Sequence, residues 1–512
     1  MSGRIVVNHG GSRRAVETRY TVGIEDVRDL ITTGPCNVLL WGDSISSYGA
    51  LPRLPMAMAM EWPVPNGWSG WFIPANMSAS GALVNYANSQ GEAYSWPFCG
   101  FSYDTLLGIA GFTVTPYDNS NNYATTNVVG GVPSPLPKPC KVISKSGSAW
   151  NFPVFTAFFM GPQGICQSGK CWASGDWITG KSSNALRVGF CHIANSATVT
   201  ASMRINTQEG FGNASGAAAG NVMNTITPTA PSTPAAEIVW ASLAASSVNT
   251  PFGTVANEPG RTQNPVYQQY EGVGSTVPGT IMNATYLAAA GNSDWTGCLA
   301  VRTTYDANST PTGTNIVPYG VIIEDTTNTT GMYVDNISVS GDKITAYENQ
   351  TVQQMANVLN LNTARPINLV IMHIGENETT AEWNGGSINA AQIKADLIAR
   401  IQRVYDGWDL AGLPRGLILL SSPWETVGQT KSGSAWYTTV AGIMRDLAKT
   451  DSRVKFVDTR QMFADRFSSE EMYHASRNAH MNILADATHP SVRGVREWGR
   501  LLWRAIMGSI NE

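Results

Sequence analysis

The chain has 512 residues, of which 43% are apolar and 14% are charged, and its net charge is −4 at pH 7. That length exceeds one ordinary domain and can bury a sizeable core, so we expect two or three domains. The weak acidic balance offers no basic surface for nucleic acid or for an anionic membrane, and it argues against both partners.

The N-terminal segment and the cysteines further limit the classes of protein to which the chain could belong. The segment from Met1 to His9 has no apolar core of signal-peptide length, and no later stretch reaches roughly 18 consecutive apolar residues. We therefore expect a soluble protein without a signal peptide. The seven cysteines form no pair of pairs typical of zinc. Cys166 and Cys171 could form a disulfide bridge or bind a metal. The alternative is that both are free buried thiols.

The first element that bears on chemistry is an apolar run from Asn37 to Trp41 that stops at Gly42-Asp43-Ser44. A short apolar run ended by glycine and polar residues predicts a buried strand, and open α/β sheets bind ligands at the carboxyl ends of their strands. Serine is a weak nucleophile at neutral pH, so Ser44 would need a base.

Aromatic residues follow this serine closely. The segment Ala50 to Trp62 is predicted to be a helix, and Trp68 and Trp71 come soon after it, with Trp96 further on. These three tryptophans could bind a sugar ring or close a small pocket beside the serine. Packing in the core is the alternative interpretation.

Composition changes from about residue 113 to about residue 344. Charged residues become sparse, and short β-branched or aromatic runs recur between glycine and proline turns. This pattern predicts a β-sandwich inserted into the chain. The predicted strands include Ala157–Phe159, Leu186–Phe190, Ala197–Thr200, Glu237–Trp240, Gly320–Ile323 and Met332–Val334.

Beyond residue 344, predicted strands alternate with predicted helices, which indicates a parallel sheet covered by helices on both faces. The predicted helices are Thr351–Leu359, Ala391–Ile401, Tyr437–Leu447 and Val495–Met507, and the predicted strands are Ile367–Ile374, Gly416–Leu420 and Val454–Asp458.

The strand Ile367–Ile374 is followed by Gly375-Glu376-Asn377, which puts an amide donor at the same edge of the sheet as the serine. His373 lies within this buried strand. We interpret it as a hydrogen-bonded core residue and not as a base.

Of the six histidines, His489 alone combines a carboxylate three residues before it, Asp486, with a proline directly after it. A histidine can take the proton of a serine, and a carboxylate can hold the imidazole in the required tautomer. His474 and His480 could contact a substrate.

These motifs, in this order, resemble the SGNH (GDSL-type) esterase superfamily. Gly42-Asp43-Ser44 matches its first block, Gly375-Glu376-Asn377 matches its third, and Asp486 to His489 matches its last. The family usually has Asp where this chain has Glu378. The second block is a glycine, which we place at Gly100, with Gly81 and Gly91 as competitors.

The resemblance implies a three-layer α/β/α fold with a parallel sheet, split by the inserted β-sandwich. Residues 1–112 and 345–512 would form the catalytic domain, and residues 113–344 would form the inserted domain. It also implies that Asp43 braces its turn through a side-chain bond to the backbone and that Glu378 accepts backbone donors of its loop.

In the implied mechanism, Ser44 is the nucleophile, His489 is the base and Asp486 orients His489. The oxyanion would be bound by the backbone amides of Ser44 and Gly100 and by the side-chain amide of Asn377. No metal and no cofactor is required.

Within the superfamily, carbohydrate O-acetyl esterases often carry a β-sandwich beside the catalytic domain. With sixteen tryptophans and an Asn/Ser/Thr-rich insert, this favours a glycan deacetylase as the function. A lipase or thioesterase of the same fold, or a non-catalytic glycan-binding or virion attachment protein, are the alternatives. The expected location is the cytoplasm or a virion. A glycan substrate without a signal peptide would be reconciled by a phage or virus particle protein, assembled in the cytoplasm and acting outside. The sequence does not indicate the oligomeric state.

Overall fold

The fold was analysed in a computed structural model of the chain. The structure describes residues 17–43, 45–46, 68–74, 99–102, 112–116, 128–129, 132–133, 135–137, 141–145, 153–159, 186–194, 201–206, 221–226, 235–242, 299–305, 315–338, 341–378, 389–424, 435–475, 482–484, 488–490 and 492–508.

The described strands are β1 (Thr21–Val22), β2 (Cys36–Leu40), β3 (Trp68–Pro74), β4 (Cys99–Ser102), β5 (Phe112–Pro116), β6 (Val128–Val129), β7 (Val132–Pro133), β8 (Lys141–Lys145), β9 (Pro153–Phe159), β10 (Leu186–Ala194), β11 (Ala201–Asn206), β12 (Asn221–Ile226), β13 (Ala235–Ser242), β14 (Leu299–Tyr305), β15 (Asn315–Asp325), β16 (Met332–Asn336), β17 (Leu369–His373), β18 (Leu417–Ser421) and β19 (Val454–Val457). The described helices are α1 (Ile24–Thr33), α2 (Val352–Leu359), α3 (Ala390–Leu410), α4 (Ala435–Thr450), α5 (Thr459–Arg466), α6 (Ser469–Met472) and α7 (Val492–Met507), with a 3₁₀ helix at Ile344–Asn349.

The centre of the main sheet is parallel. Its strands run in the order β19-β18-β17-β2-β16-β3, and every neighbouring pair in this run is parallel. The carboxyl ends of β2, β16 and β17 therefore meet at one edge, which is where such sheets place their sites. The two strands predicted to lead to Gly42 and to Gly375 are β2 and β17, and they are direct neighbours in the sheet.

Helices cover both faces of this parallel region. Successive strand residues point to opposite faces, so each face has its own apolar core. On one face, Leu39 and Val370 belong to a core formed with α2, α3 and α4. On the other, Val38 and Ile371 belong to a core formed with α1, α5 and α7. The predicted three-layer α/β class is confirmed.

Capping residues in the sequence determine where helices begin, as the start of α2 illustrates. Thr351 caps α2: its side-chain oxygen accepts from the Gln354 backbone N–H, and the Gln354 side chain accepts from the Thr351 backbone N–H. This reciprocal capping satisfies two amide groups that a helix start leaves unpaired. Among the described residues, no helix is long and apolar enough to cross a membrane.

The predicted elements after residue 344 are confirmed as helices and strands, with ends shifted by up to three residues, except that the helix predicted to end at Ile401 continues to Leu410. The predicted helix Ala50–Trp62 and the predicted strand Ala197–Thr200 lie outside the described residues. The sequence prediction missed β1 and α1, which are short and precede the first apolar run.

The region 113–344 is rich in strands, as predicted, but it is not separate from the parallel sheet. β16 lies within that region and pairs in parallel with both β2 and β3. The expectation that this region adds no strand to the catalytic sheet is therefore wrong. Sequence alone could not reveal this, because the short run Met332–Asn336 has the same β-rich composition as the strands before it.

Beyond β3 the sheet continues in antiparallel fashion through β15, β10 and β13. A second, five-stranded antiparallel sheet has the order β12-β11-β14-β9-β4. The packing of these antiparallel strands into a separate β-sandwich stays a prediction.

Candidate active site at the carboxyl edge of the parallel sheet

The chain after β2 stays bound to β17 until it reaches the Gly-Asp-Ser turn. The Trp41 N–H donates to the Ile371 carbonyl at 2.9 Å, and the Asp43 N–H donates to the His373 carbonyl at 3.2 Å. A Cβ at Gly42 would lie 2.3 Å from that His373 oxygen, so only glycine fits this approach. The turn is therefore held against the strand that leads to Asn377.

The Asp43 carboxyl is buried and connects two of the predicted motifs. Its Oδ1 accepts from the Ile45 N–H at 3.0 Å, and its Oδ2 accepts from the Glu376 N–H at 3.4 Å. The first bond bridges the position of Ser44, which itself lies outside the described residues. The side-chain bond to the backbone that was expected for Asp43 is present.

Burial raises the pKa of Asp43 to about 7. The backbone bonds from Ile45 and Glu376 oppose this rise in pKa, the negative charge of Asp342 adds to it, and the positive charge of His489 opposes it.

The Asn377 loop follows β17 with a backbone that requires glycine. Gly375 has φ +121°, a backbone conformation that residues other than glycine rarely adopt. The Asn377 Nδ2 donates to the Asp342 carbonyl at 3.1 Å, and the residue is only partly buried. An amide nitrogen carries two hydrogens, so this bond orients the group and leaves a second hydrogen for a ligand.

The acidic residues around Asn377 are structural. Glu378 Oε1 accepts from the Ile344 N–H at 2.9 Å, which confirms the expected role of Glu378 as an acceptor for loop backbone. Glu376 Oε1 accepts from the Tyr437 hydroxyl at 3.1 Å. The Glu378 side chain thus bonds the Asn377 segment to the backbone at Ile344.

His489 lies in a turn just before α7. A β-bridge between Leu484 and Pro490 closes the turn. A Cβ at Gly494 would lie 2.0 Å from the Ile483 carbonyl oxygen, so glycine lets α7 pack directly on this turn. His489 is partly buried. Its predicted partner Asp486 lies outside the described residues.

His373 has the environment of a core residue. Trp424 Nε1 can only donate, so the His373 Nε2 it faces must accept, and Nδ1 then donates to Ser421 Oγ at 3.0 Å. Burial lowers the pKa of His373 to about 3. The interpretation of His373 as a neutral, hydrogen-bonded residue of the core is confirmed.

Sequence reasoning missed the residues at the end of β16 that brace the turn from its other side. Ser338 Oγ accepts from the Gly42 N–H at 2.9 Å, and Asn336 Nδ2 donates to the Ser46 carbonyl at 3.4 Å. No local pattern marks them, because the run that forms β16 has the same composition as the other strands of the predicted insert.

It also missed Arg400, a fully buried arginine on α3. Its Nη2 lies 3.3 Å from Asp342 Oδ2, and its Cζ lies 3.8 Å from the centre of the Trp41 ring. A signal was present: Arg400 stands in the apolar stripe of the helix between Leu397 and Val404. A charged residue on such a stripe needs a buried partner.

The register of the sheet places the nearest predicted aromatics away from the serine turn. Trp68 is level with Met332, and Met332 is level with Cys36 at the amino end of β2. Trp71 is level with Val334, and so with Val38. The register therefore does not bring the backbone at Trp68 or Trp71 to the carboxyl edge.

The other predicted residues have different outcomes. Gly100 lies in β4 opposite Phe158, within the five-stranded sheet and not at a strand end of the parallel sheet. Its assignment to the oxyanion site stays a prediction. Trp96 and His480 lie outside the described residues, and His474 is exposed.

The described part of the fold is an α/β sheet that brings the Gly42-Asp43 turn and the Asn377 amide to one edge. No protein-family model matches the chain, and no curated protein sequence matches it.

The chain is similar to several solved structures of esterases. One is titled as a peptidoglycan O-acetylesterase (12% identity, 95% of this chain and 94% of that chain, TM-score 0.45). Another is a lipase/acylhydrolase from Enterococcus faecalis (14% identity, 35% and 77%, TM-score 0.24). A third is Est24, a carbohydrate acetylesterase from Sinorhizobium meliloti (12% identity, 35% and 79%, TM-score 0.24).

Proposed function

We propose that this chain is a serine esterase that removes acyl groups, in particular O-acetyl groups, from a carbohydrate. The observation that carries the proposal is the position of Asp43. Its carboxyl accepts from the residue after Ser44 and from the residue before Asn377. One buried side chain thus links the residues next to the proposed nucleophile and the proposed amide donor.

In the proposed reaction, Ser44 Oγ attacks the ester carbonyl while His489 takes the hydroxyl proton. The C–O bond to the sugar breaks, and His489 returns the proton to the departing alkoxide. Water then attacks the acyl-serine by the same steps and releases the free acid. Asp486 would hold the imidazole in the tautomer that accepts at the nitrogen facing the serine.

The negative charge on the carbonyl oxygen would be bound by Asn377 Nδ2 and by the backbone N–H groups of Ser44 and Gly100. Donors that are oriented before the reaction stabilise this charge without reorganising, which is the source of their effect. The bond from Asn377 to the Asp342 carbonyl supports this role, because it fixes the amide before substrate arrives.

The preference for acetylated carbohydrate rests on the resemblance to carbohydrate O-acetyl esterases and on the strand-rich region between the motifs. Acetyl specificity requires a small pocket beside Ser44. The register places the backbone of Trp68 and Trp71 away from the carboxyl edge of the sheet.

A chain-length series of activated esters tests the function. We expect kcat/KM to fall steeply from acetyl through butyryl to octanoyl esters, because a methylene that clashes in a small pocket lowers the rate. We also expect release of acetate from an acetylated polysaccharide. The Ser44→Ala variant should be inactive on all of these substrates.

Other results would change the assignment. A rate that rises toward octanoyl would move the function to a lipase or thioesterase, since each methylene that fits an apolar pocket contributes about 1–3 kcal/mol. No turnover of any ester by folded protein would favour the glycan-binding or virion attachment function.

A further inference from the structure

Arg400 is a fully buried charged residue near the candidate site, with 0% exposure. Besides its ion pair with Asp342, its Nη1 donates to the Lys343 carbonyl at 2.9 Å. The flat face of the guanidinium covers the Trp41 ring. One side chain therefore contacts the end of β2 and the loop that precedes the 3₁₀ helix.

That loop holds the amide donor. The Asp342 carbonyl accepts from Asn377 Nδ2, and the Ile344 N–H donates to Glu378. The loop thus lies between Arg400 on one side and the Asn377 segment on the other. Any movement of Asp342 would rotate the amide of Asn377, because the bond that orients the amide ends on the Asp342 backbone.

We propose that Arg400 is a positioning residue for catalysis, and this inference rests on the proposed esterase function. Arg400 fixes the Asp342 loop relative to Trp41, which is three residues before Ser44. It thereby sets the distance between the nucleophile and the oxyanion donor Asn377. Arginine suits this task, since its planar group can stack on an indole and bind carbonyl and carboxylate oxygens in fixed directions.

A purely structural role is the competing explanation, and the chain contains a matched control for it. Arg365 forms a similarly buried pair with Glu324, with 4% and 3% of the side chains exposed. It lies before β17, and Glu324 is level with Gly70, away from the carboxyl edge. Loss of either pair should destabilise the protein, but only loss of the Arg400 pair should disturb catalysis.

The test is a double-mutant cycle between Arg400→Met and Asn377→Ala, with kcat and KM measured on an activated acetyl ester. We expect Arg400→Met to lower kcat by about 10- to 100-fold with little change in KM, because small misplacement of a catalytic group has effects of that size. In the Asn377→Ala background, where no amide remains to be misplaced, Arg400→Met should have no further effect.

Two further variants keep the test decisive if Arg400→Met does not fold. Arg400→Lys retains the charge without the planar group, and Asp342→Asn removes the charge of the partner while keeping its carbonyl. Each should lower kcat in the wild-type background and not in Asn377→Ala. The Arg365→Met control should keep the wild-type kcat per folded molecule.

The proposal is overturned if the Arg400 variants keep the wild-type kcat, or if their effect multiplies with that of Asn377→Ala. Failure of the esterase function itself would be recognised separately. In that case, the wild-type protein would show no turnover that depends on Ser44.

Discussion

The two ends of the parallel sheet each contain a buried arginine paired with a carboxylate, yet their surroundings differ. At the amino end, Arg365 Nε donates to Glu324 at 2.6 Å and its Nη2 donates to the Asn328 carbonyl at 2.6 Å. At the carboxyl end, Arg400 binds Asp342 and covers Trp41, both of which are adjacent to the candidate active site.

This difference shows that a buried ion pair does not by itself mark a functional site. Removing two charges from water is costly, and a hydrophobic replacement is often at least as stable. The pair at the amino end joins β15 to the segment before β17. The pair at the carboxyl end holds a loop whose carbonyl orients a polar amide toward the site. The following predictions test this contrast.

The largest effect is expected at His489. Because it is the proposed base, His489→Ala should lower kcat by about 10⁴-fold with little change in thermal stability. Asp486→Asn should be less severe if the carboxylate only orients the imidazole. Steady-state kinetics and thermal melts of both variants check this, and equal losses would contradict the division of roles.

The Arg365→Met variant should show the opposite pattern. It leaves the buried Glu324 without its charge partner, which should reduce the free energy of unfolding by about 3–5 kcal/mol. The kcat of the folded fraction should stay unchanged. Urea denaturation measures the loss, and the double variant Arg365→Met/Glu324→Leu should recover part of it. A large fall in kcat would mean that the two ends are coupled.

Asn377→Ala should lower kcat by about 10²- to 10³-fold, the usual effect of losing one oxyanion donor. A matched control is Asn368→Ala at the amino end of the same strand. Asn368 accepts from the Asn37 N–H at 2.8 Å and donates to the Pro35 carbonyl at 2.8 Å. The control should lose stability and keep its kcat. Similar kinetics for both variants would remove Asn377 from the site.

The smallest expected effect is a change in the pH dependence of stability when Asp43 is replaced. Its pKa is raised from 3.8 to about 7, so the folded state holds this proton over a pH range where the unfolded state has released it. The stability contributed by the protonated form is complete below about pH 4 and is lost as the pH rises through 7. Asp43→Asn cannot ionise, so its stability should fall less than that of wild type between pH 5 and pH 8.

Urea denaturation of both proteins at these two pH values measures that difference, which should be at least about 1 kcal/mol, since each pKa unit corresponds to about 1.4 kcal/mol. An equal fall in both proteins would show that the Asp43 carboxyl has the same pKa in the folded and unfolded states.

Much of the parallel fold was predictable, because its strands are continuous apolar runs separated by helices with regular apolar spacing. The positions of Gly42 and Gly375 were predictable for the same reason, since each glycine ends such a run. The role of His373 followed from its place within such a run, and those of Asp43 and Glu378 were expected from the motif resemblance. The hydrogen bonds of all three residues agree with those roles.

The long-range arrangement was not predictable. The pairing of β16 with β2 joins segments almost 300 residues apart, as the bond between Gly42 and Ser338 illustrates with a separation of 296 residues. No local pattern encodes such a pairing. The tryptophans were grouped with Ser44 because they are near in sequence, whereas the register of β3 puts Trp68 level with Cys36.

The most direct test of the central claim is covalent labelling of the nucleophile. A fluorophosphonate reacts with a serine only when a base activates it and an oxyanion site accepts the phosphoryl oxygen. We predict one phosphonyl group per chain, located by mass spectrometry on Ser44, with no labelling in Ser44→Ala and strongly slowed labelling in His489→Ala. Labelling at another serine, or wild-type ester hydrolysis by Ser44→Ala, would contradict the account.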